Sequence, residues 1–475
     1  MPADFLNFLP EATTLIAALF ALVVAMVANN GRATWWTSLV GAVAVVVTSA
    51  MGLSSQGEPF FPGIYQVDAF SQLMKIALAI GLLVVTLLAS RRDGIRQVAR
   101  GDYPVFLLLA TAGMMILVSA TEMLTLFVAL EMSAYALYVL AALGKRADRG
   151  SEAAAKYVVF GGAASAVSLY GMSLIYGTTG TTYLAAIAAA PAAVMSSPMF
   201  MVGLFLLLAG LFFKLAVFPF HSWAPDVYEA APHESVAFIA TASKVAAVGV
   251  IARVLCLAVP DSEVLITTLL ILCVVSMTFG NLAAIAQRDI KRLLAYSTIA
   301  HAGYILIGLL TLSHTGMSAA IFYGVIYLAM GLCAFTVVCA LGADGAPVTF
   351  DSLAGLHKRS PFLGALLLVG LFGLAGIPPT PGFAGKWFLF AAALEQGHFW
   401  LVLIAAINAT ISLYYYLIVV KAAYTTEAAD EEALVAPTAV LAAGGLSMAL
   451  VVYFGLFPGE LWTMAEAAAT AIGAR

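Results

Sequence analysis

The stretch that decides the fold is GLFFKLAVFPFHSWAPD, residues 210–226, in which an apolar run contains one lysine and two prolines. The whole apolar run covers residues 199–230, which is too long for one straight helix, since about 20 residues cross a bilayer. Proline removes a backbone hydrogen bond and breaks or kinks a helix. The sequence therefore predicts a broken membrane helix, with Lys214 about midway through the run.

A second run, residues 361–394, has the same features. It contains GLFGLAGIPPTPGFAGKWFLF, residues 370–390, with the same Gly-Leu-Phe start, a proline break and a nearby lysine, Lys386. Broken helices at matching places in inverted repeats are typical of transport sites, because unwound backbone at membrane depth must lie inside protein or beside water. The two runs therefore predict a transport site and an internal duplication.

Composition places the whole chain in a membrane. Of its 475 residues 63% are hydrophobic and 10% are charged, whereas a soluble domain has about 25% charged residues. We expect an all-α polytopic membrane protein with about fourteen spans, of which the seventh and the twelfth are broken. The predicted spans are 10–28, 35–53, 70–90, 103–119, 122–142, 155–177, 199–230, 233–255, 264–286, 291–311, 317–340, 361–394, 399–421 and 437–457.

The connections between the spans alternate in charge, which predicts the orientation. The connections after spans 3, 5, 9 and 11 are basic, and the alternate ones are almost free of Lys and Arg. By the positive-inside rule the basic connections are cytoplasmic, so both termini are expected on the outer, periplasmic side. Asp68 and Lys75, at the start of span 3, are expected at the membrane interface. The residues that set the orientation are Arg91, Arg92, Arg96, Arg100, Lys145, Arg146, Arg149, Arg288, Lys291, Arg292, Lys358 and Arg359.

Five titratable residues lie near the middle of five different spans, namely Glu131, Lys214, Lys244, His301 and Lys386. A charge at the bilayer centre costs about 2.5–3.5 kcal/mol on insertion scales, so several of them indicate a proton or ion path. Burial lowers the pKa of a lysine and a nearby carboxylate raises it, so a Lys–Glu pair that opens and closes would release and take up a proton. The alternative is that these charges only lock helices together, or, for His301, that a neutral ring bridges them.

Four further residues are secondary candidates. Lys156, near the cytoplasmic face, either feeds protons inward or only extends its amine to the interface. Asp226, after the first break, either lines an entrance or caps the half-helix. His221, in the break itself, and Tyr304, which would support a water wire, complete the set.

Motifs for cofactors and metals fail on inspection. His233-Glu234 begins like a zinc-protease motif but lacks the second histidine four residues after the first. Gly385-Lys386 resembles the end of a P-loop, but Thr380 stands where the first glycine is required. The four cysteines form no C-x-x-C pair and are expected to be packing residues. The sequence thus contains no recognisable site for a nucleotide, a flavin or a metal.

Four motifs together resemble the antiporter-like membrane subunits of complex I, the proton-pumping NADH:quinone oxidoreductase. The chain is most similar to the N type, because Lys386 stands where subunit M carries glutamate, and because the chain ends soon after the last span, whereas subunit L adds a long lateral helix. Ala230 departs from the family, which usually has glycine there. The motifs are FKLAVFPFHSWAPDVYEAAP (213–232), TASKVAAVGV (241–250), KRLLAYSTIAHAGY (291–304) and GIPPTPGFAGKWFLF (376–390).

The resemblance implies a fold of two inverted five-helix repeats with extra helices at both ends. The repeats would be residues 101–257 and 258–424. They would follow an N-terminal three-helix segment, residues 1–100, and precede a C-terminal helix in residues 425–475. It also implies roles for the five central residues. Glu131 and Lys214 would form the coupled pair of the first half-channel. Lys244 would be the central relay, and Lys386 would serve the second half-channel, with His301 between them.

The function implied is proton translocation in the membrane arm of complex I, in a bacterial inner membrane. Quinone reduction elsewhere in the complex would drive proton transfer through this chain. Flavin, iron–sulfur clusters and quinone would belong to partner subunits, and this chain would carry no prosthetic group. The neighbours would be the antiporter-like M subunit and small K- and J-type subunits. Two alternatives are a subunit of a cation/proton antiporter and a structural connector that does not pump.

Overall fold

A computed structural model of the chain describes residues 7–28, 31–53, 61–90, 94–145, 147–257, 262–342, 345–427 and 432–474, with the side chains of 147–149 outside the description. In these ranges the regular structure is helical, and β-pairing is limited to single bridges between loops. The helices of the first half are α1 (Leu9–Ala28), α2 (Gly31–Gly52), α3 (Ala69–Leu88), α4 (Tyr103–Ser119), α5 (Met123–Ala142), α6 (Ala147–Thr179), α7 (Leu184–Ala188), α8 (Ala192–Met195), α9 (Pro198–Leu215), α10 (Trp223–Ala230), α11 (His233–Ala240) and α12 (Ala242–Leu255). Those of the second half are α13 (Glu263–Ile285), α14 (Ile290–Leu310), α15 (His314–Leu341), α16 (Phe350–Leu353), α17 (Leu356–Arg359), α18 (Pro361–Ala375), α19 (Pro381–Glu395), α20 (Phe399–Thr425), α21 (Thr438–Leu456) and α22 (Pro458–Ala471).

The long helices identify a membrane-spanning chain. Within the described ranges, twelve helical stretches are long and apolar enough to cross a membrane when α11 and α12 are counted together. The shorter helices α4 and α18 are apolar as well. The prediction of an all-α polytopic membrane protein is confirmed, whereas the count of fourteen spans and the inverted repeats stay predictions.

The loops pair at two opposite ends of the helices. One end has single bridges that join Tyr65 to Ala120 and Glu122 to Tyr183, and the other end has bridges that join Ile95 to Gly144 and Asp289 to Thr349. The described basic connections lie in or beside the second set of bridges, so they share one end of the molecule, the basic end. Arg91, Arg92, Arg146 and the side chain of Arg149 lie outside the described residues.

Both proline breaks are present where the sequence predicts them. The first follows α9, where Ala216 adopts a left-handed φ of 67° before the chain resumes as α10. The second follows α18, where Gly376 has a φ of 83° before α19 begins. The last carbonyl groups of a helix have no partner within the helix. Each break therefore places free backbone acceptors inside the protein.

A third interruption divides the eighth predicted span, for which the sequence predicts one continuous helix over 233–255. The division is at Thr241, with φ −119° and ψ −75°, between α11 and α12. The Thr241 hydroxyl donates a hydrogen bond to the carbonyl of Ala237, a contact that bends helices. Since neither proline nor glycine marks this position, the sequence pattern does not reveal the bend, which lies three residues before Lys244.

The C-terminal segment also contains a helix, α22, that follows the last predicted span and is not predicted from the sequence. Trp462 of α22 packs against Phe388 of α19, with the ring centroids 4.2 Å apart. The end of α22 lines a cavity at the end of the molecule opposite to the basic end. The C-terminal segment is therefore part of the folded protein rather than a simple extension of α21.

The second break depends on a close approach between its two half-helices. The carbonyl group of Gly373 in α18 occupies the space in which a Cβ of Gly382, in the first turn of α19, would lie. We expect Gly382→Ala to push the half-helices apart and to lower the thermal unfolding midpoint of the purified protein, since overpacking typically costs about 1–3 kcal/mol. Gly445→Ala is the matched control, because no atom lies within 4 Å of its added Cβ. Equal midpoints for the two variants would contradict this close approach.

Candidate functional site: a row of buried lysines

Lys214 lies one residue before the end of α9, and its amine donates a hydrogen bond to the hydroxyl of Ser133 at 2.7 Å. Ser133 is on α5, two residues after Glu131, and the Glu131 carboxylate accepts a hydrogen bond from Ser165 of α6. Among the described contacts, no ion pair joins Glu131 to Lys214. The structure thus places the predicted pair on facing helices, with a separate hydroxyl partner for each charge.

Lys244 lies on α12 and occupies the first helix break. Its amine donates to the backbone carbonyl of Lys214 at 2.7 Å and lies 4.8 Å from the ring centroid of Trp223. The carbonyl end of a helix carries a partial negative charge of about half an electron, and an aromatic face attracts a cation. The buried ammonium is therefore stabilised by peptide dipoles and a ring rather than by a carboxylate.

Lys386 occupies the second break, and its amine contacts the same kinds of group as that of Lys244. Its amine donates to the carbonyl of Ala375 at 2.8 Å and to that of Leu374 at 3.2 Å, and it lies 4.9 Å from the ring centroid of Tyr304. Lys244 reaches its break from a neighbouring helix, whereas Lys386 belongs to the second half of its own broken helix. The side chains of all three lysines are buried, with exposed fractions of 7% for Lys214, 1% for Lys244 and 5% for Lys386.

His301 of α14 lies between two tyrosines. Its Nδ1 atom is 2.9 Å from the hydroxyl of Tyr323, and its Nε2 atom is 3.0 Å from the hydroxyl of Tyr416. A neutral imidazole has one donor and one acceptor nitrogen. A proton that enters at one nitrogen can therefore leave from the other, provided that both hydroxyl groups reverse their roles.

Further polar side chains extend this hydrogen-bonded network. Tyr416 also contacts the hydroxyl of Ser297, and Asn281 accepts a hydrogen bond from Tyr415 at 3.1 Å and donates towards Tyr304 at 3.5 Å. The sequence pattern indicates Tyr304 and the tyrosine run 414–416 as possible supports for a water wire, but it does not indicate Tyr323, Ser297 or Asn281. An amide in an otherwise apolar span, as at Asn281, is the signal that would have found one of them.

Lys244 and His301 are not in direct contact. Tyr228 lies between the residues that surround Lys244 and those that surround His301. The Tyr228 ring contacts the edge of Trp223 at a centroid distance of 6.2 Å, and its buried hydroxyl lies beside Thr298. Thr298 is one helical turn from His301 on α14. Polar groups therefore continue from the first break to the histidine, although not as an unbroken chain of hydrogen bonds.

Of the secondary candidates, Lys156 and Asp226 meet at the basic end. The Lys156 amine is 2.9 Å from one carboxylate oxygen of Asp226, and the other oxygen is 3.1 Å from the guanidinium of Arg292. Asp226 thus links α6 to α14 at the rim of a cavity that Glu229 also lines. His221 lies in the first break and packs against the ring of Phe279 at 4.8 Å, apart from the lysine row.

Asp68 and Lys75, which the sequence places at the membrane interface, are buried within the protein rather than exposed. The Lys75 side chain is fully buried and forms an ion pair with Glu11 of α1 at 2.9 Å. Asp68 forms a second buried ion pair, at 3.1 Å, with Arg253 of α12. A charge near the start of an apolar run is usually interfacial, but here residues distant in sequence cover it.

Comparisons with known proteins agree with this architecture. The family model for the NADH:quinone oxidoreductase/Mrp antiporter transmembrane region matches residues 120–412. NADH-quinone oxidoreductase subunit N 2 of Syntrophobacter fumaroxidans is 46% identical, with 99% of this chain and 100% of the relative covered. A chain of respiratory complex I from Thermus thermophilus has a TM-score of 0.83 and 34% identity, with 96% of this chain and 98% of that chain covered.

A chain of the Mrp complex from Dietzia has a TM-score of 0.84 at 24% identity, with 97% of each chain covered, and shares the fold. The residues that the family model matches include both helix breaks and all five central candidates, from Glu131 to Lys386. With a family model over more than half of its length and a relative 46% identical over nearly all of it, the chain belongs to the NADH:quinone oxidoreductase/Mrp antiporter membrane family.

Proposed function

We propose that this chain is a proton-translocating subunit in the membrane arm of a bacterial NADH:quinone oxidoreductase, in the place of subunit N. The observation that carries the proposal is the row of Lys214, Lys244 and Lys386. Their buried amines are held by hydroxyl and carbonyl oxygens, and no carboxylate lies in ion-pair contact with them among the described residues. The relatives named above support the assignment to complex I.

Neutral acceptors suit a lysine that must release its proton. A carboxylate would hold the ammonium form strongly, whereas a hydroxyl or carbonyl oxygen stabilises it less, and burial opposes the charge. Lysine also changes its protonation readily when buried, unlike arginine. Each amine of the row is therefore placed where a small change in its surroundings determines whether it holds a proton.

The order of the buried ionisable side chains defines the path along which a proton would move. Movement of Glu131 towards Lys214 would stabilise the ammonium form of Lys214, and movement away would destabilise that form. The released proton would pass to Lys244 at the first break, then past Tyr228 to His301, and from there to Lys386. The two halves of the path belong to the repeats that we propose for residues 101–257 and 258–424.

The remaining features of the proposal concern the complex. The flavin, iron–sulfur clusters and quinone would lie in partner subunits, and this chain would hold and move protons. Its neighbours would be the antiporter-like M subunit and the small K- and J-type subunits. The basic end would face the cytoplasm, with both termini on the periplasmic side. The cavity beside Lys156 and Asp226 at the basic end would then be an entrance for protons.

A native gel of mildly solubilised membranes, with this chain tagged and an in-gel stain for NADH dehydrogenase activity, tests the assignment. We expect the chain to migrate with a very large NADH-oxidising band. Migration as a small species without that activity would overturn the proposal.

A cation/proton exchanger is the second candidate, and the shared fold with the Mrp complex chain favours it. The two functions separate in a strain that lacks the gene. Loss of NADH oxidation with normal growth in high sodium supports the oxidoreductase, whereas sodium sensitivity with normal NADH oxidation supports the exchanger.

A further inference from the structure

A second group of buried ionisable side chains lies outside the lysine row, where α1 approaches α3 at the end opposite to the basic end. Glu11 and Lys75 form an ion pair at 2.9 Å, and both side chains are 0% exposed. The Tyr65 hydroxyl donates to the same carboxylate oxygen of Glu11 at 2.7 Å and accepts from Lys75 at 2.8 Å. The three groups form a closed triangle, to which the proposed pathway assigns no role.

Some buried polar atoms of α1, α2 and α3 have no protein partner within the described part of the chain. Among the described residues, the second carboxylate oxygen of Glu11, both polar atoms of the Gln72 side chain and the hydroxyl of Ser49 are buried and make no hydrogen bond. Buried polar groups are nearly always hydrogen-bonded, and internal water commonly supplies the partner. The carboxylate thus has one oxygen in the triangle and a second oxygen that is available to water.

Tyr65 also connects the triangle to the surface. It lines a cavity of about 1230 Å³, including its open mouth, whose walls include Gln66, Tyr183, Arg253 and Gly473. These residues come from loops at the end opposite to the basic end, from the last turn of α12 and from the C-terminal segment. Tyr65 is therefore buried in the protein and also lines a cavity that opens at the surface.

We propose that Glu11, Tyr65 and Lys75 form a second proton-exchange site, which releases protons to the outer aqueous phase through this cavity. The inference rests on the proposed function. In the transfer step the Lys75 ammonium gives a proton to the Tyr65 hydroxyl, which passes its own proton to the Glu11 carboxylate, and the step leaves a neutral amine and a carboxylic acid. The acid then gives this proton to water, and a proton from the interior restores the ammonium.

The neighbouring buried pair serves a different purpose. Arg253 pairs with Asp68, which also caps α3 through the backbone N–H of Ser71. Because arginine does not lose its proton in proteins, Arg253 cannot pass a proton to Asp68 as Lys75 can to Glu11.

A double variant separates proton exchange from a purely structural ion pair. In Glu11→Leu with Lys75→Met, two apolar side chains replace the pair, a change that is often neutral or stabilising. The complex that contains it is purified, its assembly and thermal stability are measured, and it is reconstituted into liposomes to follow NADH-driven acidification. We expect normal assembly and a loss of about tenfold in the acidification rate, less than the ~10²-fold that positioned proton-transfer groups typically contribute.

Tyr65→Phe keeps the ring and removes only the hydroxyl, and it serves if the double variant does not assemble. We expect it to slow acidification as well. Normal acidification in the assembled double variant or in Tyr65→Phe overturns the inference. Lys214→Ala, measured in parallel, keeps the two proposals apart. If it loses acidification while the triangle variants do not, only this inference fails, and if it retains acidification, the proposed function fails.

Discussion

Lys244→Met is expected to abolish NADH-driven proton translocation while the complex still assembles. The Lys244 amine contacts the Lys214 carbonyl in the first helix break and the ring of Trp223, which packs against Tyr228 on the side of His301. Methionine fills similar space and cannot carry a proton. Since a positioned proton-transfer group contributes ~10²–10⁴-fold to a rate, we expect a loss of at least about 10²-fold.

The measurement is the acidification rate of liposomes that contain the purified complex, together with quinone reduction by the same sample. Lys421→Met is the matched control, because Lys421 is an exposed lysine on α20, outside the row. It should behave as the wild type does. Retention of both activities in Lys244→Met would show that the central lysine only holds helices together, as in the structural-connector alternative.

Lys386 allows a test of whether a positive charge is sufficient. Lys386→Met removes both the charge and the proton carrier, whereas Lys386→Arg keeps the charge but does not release its proton. If Lys386 carries protons, both variants should lose at least about tenfold in acidification rate, a threshold below the ~10²–10⁴-fold that such groups typically contribute. If Lys386 only neutralises the carbonyl groups of Leu374 and Ala375, arginine should restore the wild-type rate.

The larger guanidinium requires a control for packing. The amount of assembled complex and its thermal midpoint are compared for the two variants, since the Lys386 side chain packs against Gly376, where an added Cβ would lie 3.0 Å from its Cδ atom. A variant with wild-type assembly and reduced acidification supports proton carriage. Full acidification in Lys386→Arg contradicts it.

The sequence predicts the family, the all-α membrane fold and both proline breaks correctly. An ionisable side chain within an apolar run must lie inside the protein, so the burial of Lys214, Lys244 and Lys386 also follows from the sequence. The hydrogen-bond partners of these three lysines cannot be predicted from the sequence. Two of the three amines bind backbone carbonyl oxygens. Because every residue has a backbone carbonyl, no residue type in the sequence marks these partners.

The features that the sequence does not reveal depend on contacts between distant segments. The buried state of Lys75 requires Glu11 from α1, 64 positions earlier in the chain. The bend at Thr241 depends on a local hydroxyl contact without proline or glycine. The predicted pair of Glu131 and Lys214 is a similar case. The sequence places both charges at mid-span, but it does not reveal that the Lys214 amine donates a hydrogen bond to the hydroxyl of Ser133.

The helix breaks have a consequence for how the protein converts motion into chemistry. A peptide oxygen has no proton to lose, so the counter-charge that faces Lys244 or Lys386 is the same at every pH. What can change is its distance. A displacement of about 1 Å at the end of a half-helix would take a hydrogen bond of 2.7 Å beyond its effective range. The broken helix would thus act as a mechanical transducer, in which a movement along the helix changes the proton affinity of the lysine at its end.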